Sequence, residues 1–166
     1  MYDELTEVDI KKMQEEIDHR ILDLRPQLIE EVQQARAFGD LSENFEYKEA
    51  KRQKNRNDSR IRYLQRMIRT AHVVSAENTG SVIGLFDHVK LIDEDEDEME
   101  VQLVTTLRVD AGEGRISRES PLGRALFGHC VGETVTVEVR PDFSYQVKIL
   151  SVEKGEDDDS LPIAQY

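Results

Sequence analysis

Asp40 and Glu43 are two carboxylates three residues apart in the stretch Gly39-Asp40-Leu41-Ser42-Glu43-Asn44. Acids at that spacing are hard oxygen donors that could face a divalent cation such as Mg²⁺. Magnesium demands an octahedral set of oxygens and keeps several waters, usually with phosphates nearby. Two carboxylates are too few to hold it alone, so a site built on them must be completed by another molecule. A plainer explanation also fits: carboxylates at a turn into a helix gain about 0.3–1 kcal/mol from the helix dipole, and capping by itself would account for both. Other chemistry is sparse. His19, His72, His88 and His129 are scattered without metal-ligand spacing, and no phosphate-binding or dinucleotide-binding glycine pattern occurs. Cys130 is the single cysteine, which excludes an intramolecular disulfide. His129 beside it lacks a third partner, so a half-buried structural thiol is expected there.

The acid pair interrupts two long amphipathic segments. In the first, Met13, Ile17, Ile21, Leu24, Leu28, Val32 and Ala35 recur in steps of four and three, the helical period. Residues 1–7 are expected to fray, with Thr6 as an N-cap. Pro26 lies inside the run; an interior proline removes a backbone hydrogen bond, and a kink rather than a stop is expected because the apolar phase continues across it. Gly39 would end the helix at a position needing positive φ. The second seam is Tyr47, Ala50, Lys54, Asn57, Ile61, Leu64, Ile68 and Ala71, with Ser42 or Asp40 as N-cap. Its polar members Lys54 and Asn57 would loosen packing while fixing register. Two such seams predict an antiparallel helical hairpin, residues 1–73, with its tip at 39–44. Thirty residues at 1.5 Å rise make an arm of about 45 Å.

Composition changes at 74–81, which suits a linker, and the period then switches to that of strands. Residues 82–92 and 100–109 read as two strands around six consecutive acids at 93–98. Ser120 suits the N-cap and Pro121 the first turn of a short helix ended by Gly128. Residues 134–140 and 145–152 form a hairpin about Pro141-Asp142. Residues 82–153 therefore predict a small antiparallel β domain with one short helix, and the whole chain is α+β. The acidic 154–166 is expected to be a disordered tail.

A chain of 166 residues with 38% hydrophobic and 34% charged residues suits long solvated helices. No apolar run approaches the roughly 18 residues that span a bilayer, and the acidic N-terminus lacks the features of a signal peptide; a soluble, cytoplasmic, monomeric protein is expected. The net charge of −13 argues against nucleic-acid partners until it is mapped. Residues 43–72 carry nine Lys and Arg against four Asp and Glu, between segments of net −6 and −12. A basic helix follows directly on the acid pair.

The residues from Gly39 to Tyr47 closely resemble the G-D-L-S-E-N-A-E-Y tip of the bacterial transcript-cleavage factors GreA and GreB, nearer to GreA. Ser120-Pro121-Leu122-Gly123-Arg124-Ala125-Leu126-Phe127-Gly128 followed by Val131-Gly132-Glu133 resembles a second element of the same family. The resemblance covers roughly residues 8–153. It implies a coiled coil that enters the secondary channel of RNA polymerase and an FKBP-like C-terminal domain that docks on the channel rim, with Ser120, Pro121, Leu122 and Gly123 in the docking element. It implies that Asp40 and Glu43 act inside the polymerase active site. There they would help hold a second Mg²⁺ completed by the polymerase and orient the water that cleaves backtracked RNA, the free protein binding no metal. Ser42, Asn44, Lys48 and Arg52 are implied as tip or RNA contacts at the 3′ end of the nascent transcript, Asn44 also shaping the tip. The protein would thus be a cofactor of the polymerase, not an enzyme. Phe45 departs from the pattern by replacing a small alanine. Two alternatives remain: a secondary-channel regulator that binds polymerase without stimulating cleavage, against which the intact acid pair counts because such relatives usually have altered tips, and a coiled-coil adaptor for another partner, with the tip acids as caps.

Overall fold

The computed structural model describes residues 3–39, 44–76 and 80–165. They form two compact units, Ile10–Ala71 and Met1–Asp9 with His72–Tyr166.

The helical unit follows from the two seams. Helix α1 (Glu7–His19) runs into a π-helical turn, Arg20–Leu24, then α2 (Arg25–Arg36); α3 (Phe45–Thr70) returns. Thr6 caps α1 as expected: its hydroxyl accepts from the Asp9 amide, and the Asp9 carboxylate accepts from the Thr6 amide at 3.0 Å. Met13, Ile17, Ala35, Ile61 and Leu64 are buried, and the other apolar seam positions are half-buried. Cross-links pair Glu16 with Arg60, Arg20 with Asn57 and Ala35 with Asn44. One number rises as the other falls, so the helices are antiparallel. Pro26 does not stop the helix. Its missing N–H is absorbed upstream by the wider turn, in which the Arg25 amide donates to the Arg20 carbonyl five residues back.

That turn faces a polar cluster in the seam. Arg60 donates to both oxygens of Glu16 at 3.1 Å, and Arg20 Nε donates to the same carboxylate at 3.0 Å. Arg20 Nη1 also donates to Asn57 Oδ1 at 2.9 Å, while Asn57 Nδ2 donates to the Arg20 carbonyl at 3.2 Å. Burial by itself would raise the Glu16 carboxyl, but the hydrogen bonds and charges of Arg60 and Arg20 outweigh it and hold that group below its ordinary value.

In the second unit, β1 (Glu4–Leu5) pairs in parallel with β2 (His72–Val73). Residues 3–6 are therefore ordered rather than frayed, because Leu5 is fully buried and Asp3 and Leu5 carbonyls accept from the His72 and Val74 amides at 2.9 Å. A five-stranded sheet carries the core: β3 (His88–Asp93), β4 (Glu98–Val104), β5 (Arg115–Ser117), β6 (Thr134–Arg140) and β7 (Phe143–Glu153), in the order β5-β4-β3-β7-β6. All neighbours are antiparallel except β5, a short edge strand that joins β4 in parallel and makes the sheet mixed. Inward residues alternate along the strands (Val89 and Leu91, Val135 and Val137, Val147 and Ile149), and α4 (Pro121–Leu126) covers them through Leu126. The acidic run is the expected turn, closed by Asp93, whose carboxylate accepts from the Asp95 and Asp97 amides at 2.9 Å. Residues 83–87, expected in a strand, instead form a buried turn in which Phe86 takes φ 68°.

The expectation of a disordered tail fails for a physical reason. Arg108 is fully buried and needs carboxylates. It donates to Asp9 at 2.7 Å and pairs with Asp157, which also accepts from the Thr6 hydroxyl. Asp87, equally buried, accepts from the Gly155 amide at 3.0 Å and from Lys154 at 2.8 Å. Ile163 is buried and the Ala164 amide donates to Leu107. Residues 154–165 are thus a strap tied to the unit by the charges that made them look unfolded.

Two outcomes follow. Asp157→Ala should lower stability to denaturant by about 1.5–3 kcal/mol, the range for hydrogen bonds to charged groups, and expose the strap to limited proteolysis; unchanged unfolding would show that the Asp157 pairing contributes nothing. Since Glu16 is held below its unfolded value, its contribution is complete above about pH 4.5 and is lost as pH falls through the lowered value. Glu16→Gln should therefore melt earlier than wild type near pH 7, with the gap narrowing as pH falls below about 4.5. A gap in circular-dichroism melting that is constant with pH would contradict this account of the cluster.

Candidate functional site: the end of the helical arm

Asp40, Leu41, Ser42 and Glu43 lie outside the described residues; what flanks them is well defined. Asn44 is the N-cap of α3. Its Oδ1 accepts from the Tyr47 amide at 3.0 Å, and its Nδ2 donates to the Ala35 carbonyl in the last turn of α2 at 2.7 Å. One side chain thereby satisfies an orphan donor of one helix and an orphan acceptor of the other. The expected caps, Ser42 or Asp40, are displaced: α3 begins at Phe45, and the cap bond belongs to Asn44. Gly39 has φ 134°, a value that favours glycine, as expected for the helix end.

Beyond the cap the surface is aromatic and basic. Phe38 and Phe45 are 78% and 81% exposed. Lys48 places Nζ 5.7 Å from the Phe45 ring centroid, and Lys51 lies 6.0 Å from that of Tyr47. Arg52 is exposed and pairs with Glu49 at 3.2 Å. The basic series is not uniform. Lys54 pairs with Asp58, and Arg60 is buried against Glu16. Lys48, Lys51, Arg52 and Arg56 remain at the surface.

The other sequence candidates have structural tasks. Ser120 caps α4: its hydroxyl accepts from the Gly123 amide at 3.1 Å and donates to the Ser117 carbonyl at 2.6 Å. Gly123 is buried, and a Cβ there would sit 2.0 Å from the Ser117 carbonyl oxygen, so no larger residue fits. Leu122 packs on the core, and Pro121 is the exposed member of the four. Cys130 is half-buried in a turn closed by Glu133, whose carboxylate accepts from the Cys130 amide at 2.7 Å and lies below its ordinary value chiefly for that reason. Among the described residues, no group of three or more His, Cys, Asp or Glu could hold a metal ion, and no helix is long and apolar enough to cross a membrane.

Sequence reasoning missed three residues that matter: Glu16, Arg108 and the capping role of Asn44. Only the last left a signal, since asparagine directly ahead of a helical run is a favoured cap.

Comparison with known proteins agrees with this layout. Residues 4–73 match the family model described as transcription elongation factor, N-terminal, and residues 78–154 match transcription elongation factor, GreA/GreB, C-terminal. The chain is 40% identical over 153 residues to the transcription elongation factor GreA of Sinorhizobium medicae, covering 91% of this chain and 96% of that one. It is 39% identical over 152 residues to GreA of Caldanaerobacter subterraneus, covering 90% and 96%. A solved structure of the GreA factor homolog 1 protein of Thermus thermophilus aligns at 23% identity and TM-score 0.43, covering 93% of this chain and 100% of that one. The two domains, in this order and over nearly the whole length, define a transcription elongation factor. The chain belongs to the GreA/GreB family.

Asn44→Ala should destabilise the helical unit by about 1–2 kcal/mol, the upper range for a lost N-cap. Asn44→Asp, which keeps the acceptor and loses the donor, should fall between the two. Equal melting of all three would mean that the double hydrogen bond does not hold the arm's end.

Proposed function

We propose that the protein inserts its helical arm into the secondary channel of RNA polymerase and stimulates the polymerase's own cleavage of backtracked RNA, rescuing arrested complexes. The observation that carries this reading is the acid pair beside a helix whose cap is already filled by Asn44. Two carboxylates just ahead of that cap in the sequence, on an arm whose return helix alone is 26 residues, or about 39 Å, suit delivery to a partner's active centre.

The donor chemistry fits. Asp40 and Glu43 offer hard oxygen ligands of the kind Mg²⁺ takes, in a number that leaves positions for another protein's carboxylates and for phosphate. When bound between the two proteins, the ion stabilises the attacking and leaving oxygens of an in-line displacement. The carboxylates themselves would accept hydrogen bonds from the attacking water and set its approach. Lys48 and Arg52, on the exposed face of α3, suit phosphates of the extruded 3′ end, and such contacts weaken with salt. The C-terminal unit serves for docking on the polymerase. Its exposed Pro121 belongs to the surface we assign to that role, with Ser120, Leu122 and Gly123 shaping the element from below.

The test adds the protein and Mg²⁺ to a stalled, backtracked polymerase–RNA complex and follows release of the 3′ fragment. Release should be rapid with wild type. It should fall about 10²-fold or more in Asp40→Ala and Glu43→Ala, the magnitude of losing one group that stabilises transition-state charge, with polymerase binding and melting temperature retained. Binding without release would replace the reading by a channel regulator; no binding would leave an adaptor for some other partner.

A further inference from the structure

We propose that the Phe45 ring is a stacking platform for an unpaired RNA base at the end of the arm, with Lys48 adding positive charge beside it; this rests on the reading that the arm meets an extruded transcript. The ring is 81% exposed on the first residue of α3. Burying a phenylalanine is favourable, and the fold leaves that unused. The backbone beneath the ring is held from both sides by Asn44, which bonds the Tyr47 amide and the Ala35 carbonyl. The ring therefore stands on a fixed support. Lys48, one turn along, carries its ammonium 5.7 Å from the ring centroid.

Two occupants could use an exposed aromatic, a protein pocket or a base. A protein-docking patch is a contiguous apolar area of several hundred Å². Phe45 has no apolar continuation on its helix, where its neighbours one turn on are Lys48 and Glu49. Lys48, Lys51 and Arg52, all exposed within two turns of the ring, present cations to a polyanion. A ring set in basic surroundings is how proteins hold single strands: every base offers a π-face, and alanine substitution costs such sites about 1–3 kcal/mol per base. Phe38, 78% exposed on the other strand of the hairpin, offers a second ring of the same kind. Stacking strength follows ring size, so a purine at the extruded position should be favoured over a pyrimidine.

The experiment uses the full protein and backtracked polymerase complexes whose 3′-terminal nucleotide is a purine, a pyrimidine or the photoreactive 5-iodouridine. Phe45→Ala should raise the factor concentration for half-maximal cleavage roughly 5- to 150-fold, more with purine than with pyrimidine, while melting as wild type does. Phe45→Tyr should stay within about 2-fold, because it keeps the aromatic face. Irradiation should join 5-iodouridine to residue 45. Cleavage that is indifferent to Phe45→Ala, with no cross-link at 45, overturns stacking and leaves the cleavage reading intact. An equal loss of affinity for polymerase carrying no RNA also overturns it, in favour of a protein contact. If wild-type protein binds without stimulating cleavage, the functional reading falls, and the cross-link alone decides the role of the ring.

Discussion

The bidentate contact between Arg60 and Glu16 is the constraint on which the arm's geometry depends. Two aliphatic seams of steps three and four can slide past one another by whole heptads with little loss of apolar burial. A fork of two parallel N–H···O bonds at 3.1 Å cannot slide at all. Arg60 and Asn57 are almost fully buried, so any other register would strand an unpaired charge in the seam, the costly outcome for buried ions. Arg20 completes the set because the π-turn leaves its carbonyl in reach of Asn57. Proline, wide turn, asparagine and ion pair form one device. Asn44 then finds the Ala35 carbonyl in the same register at the other end.

The C-terminal unit meets a different constraint, the burial of charge inside a small domain. Asp87 and Arg108 are both fully buried, and each is bonded by the segment that follows the last strand, Arg108 also by Asp9. Gly155 passes so close to Phe86 that a Cβ would lie 1.8 Å from the Phe86 carbonyl oxygen. That leaves room only for glycine. The family's C-terminal model ends at residue 154, so the strap that answers Arg108 lies beyond the part of the chain the family model matches.

Much of this was legible in the sequence because it rests on period. The seams, the strand alternation, the acidic turn and the Ser120 cap all follow from local pattern, and local pattern survived folding. The failures share a cause. Residues 1–7 and 154–166 look unfolded by composition because their charges have no local partner. Their partners, Arg108 for Asp157 and β2 for β1, are distant in sequence. Phe86 and residues 83–87 misread as strand because apolar residues in a buried turn have the composition of a strand. The N-cap shifted from Ser42 to Asn44 because several residues near the tip could cap, and only the Ala35 carbonyl, nine positions back, selects among them. The acid pair was visible as a spacing; that the N-cap of α3 is Asn44 emerged only from the fold.

The charge map changes meaning once pairing is known. Lys54 and Arg60 are spent on Asp58 and Glu16 inside the unit, which removes them from the surface field. The cations left exposed run the length of α3, from Lys48, Lys51, Arg52 and Arg56 to Arg62, Arg66 and Arg69. At physiological salt a charge is screened beyond about 8 Å, far less than the length of α3. A protein of net charge −13 can therefore present a row of cations along α3, because the field there is set by its neighbours and not by the sum.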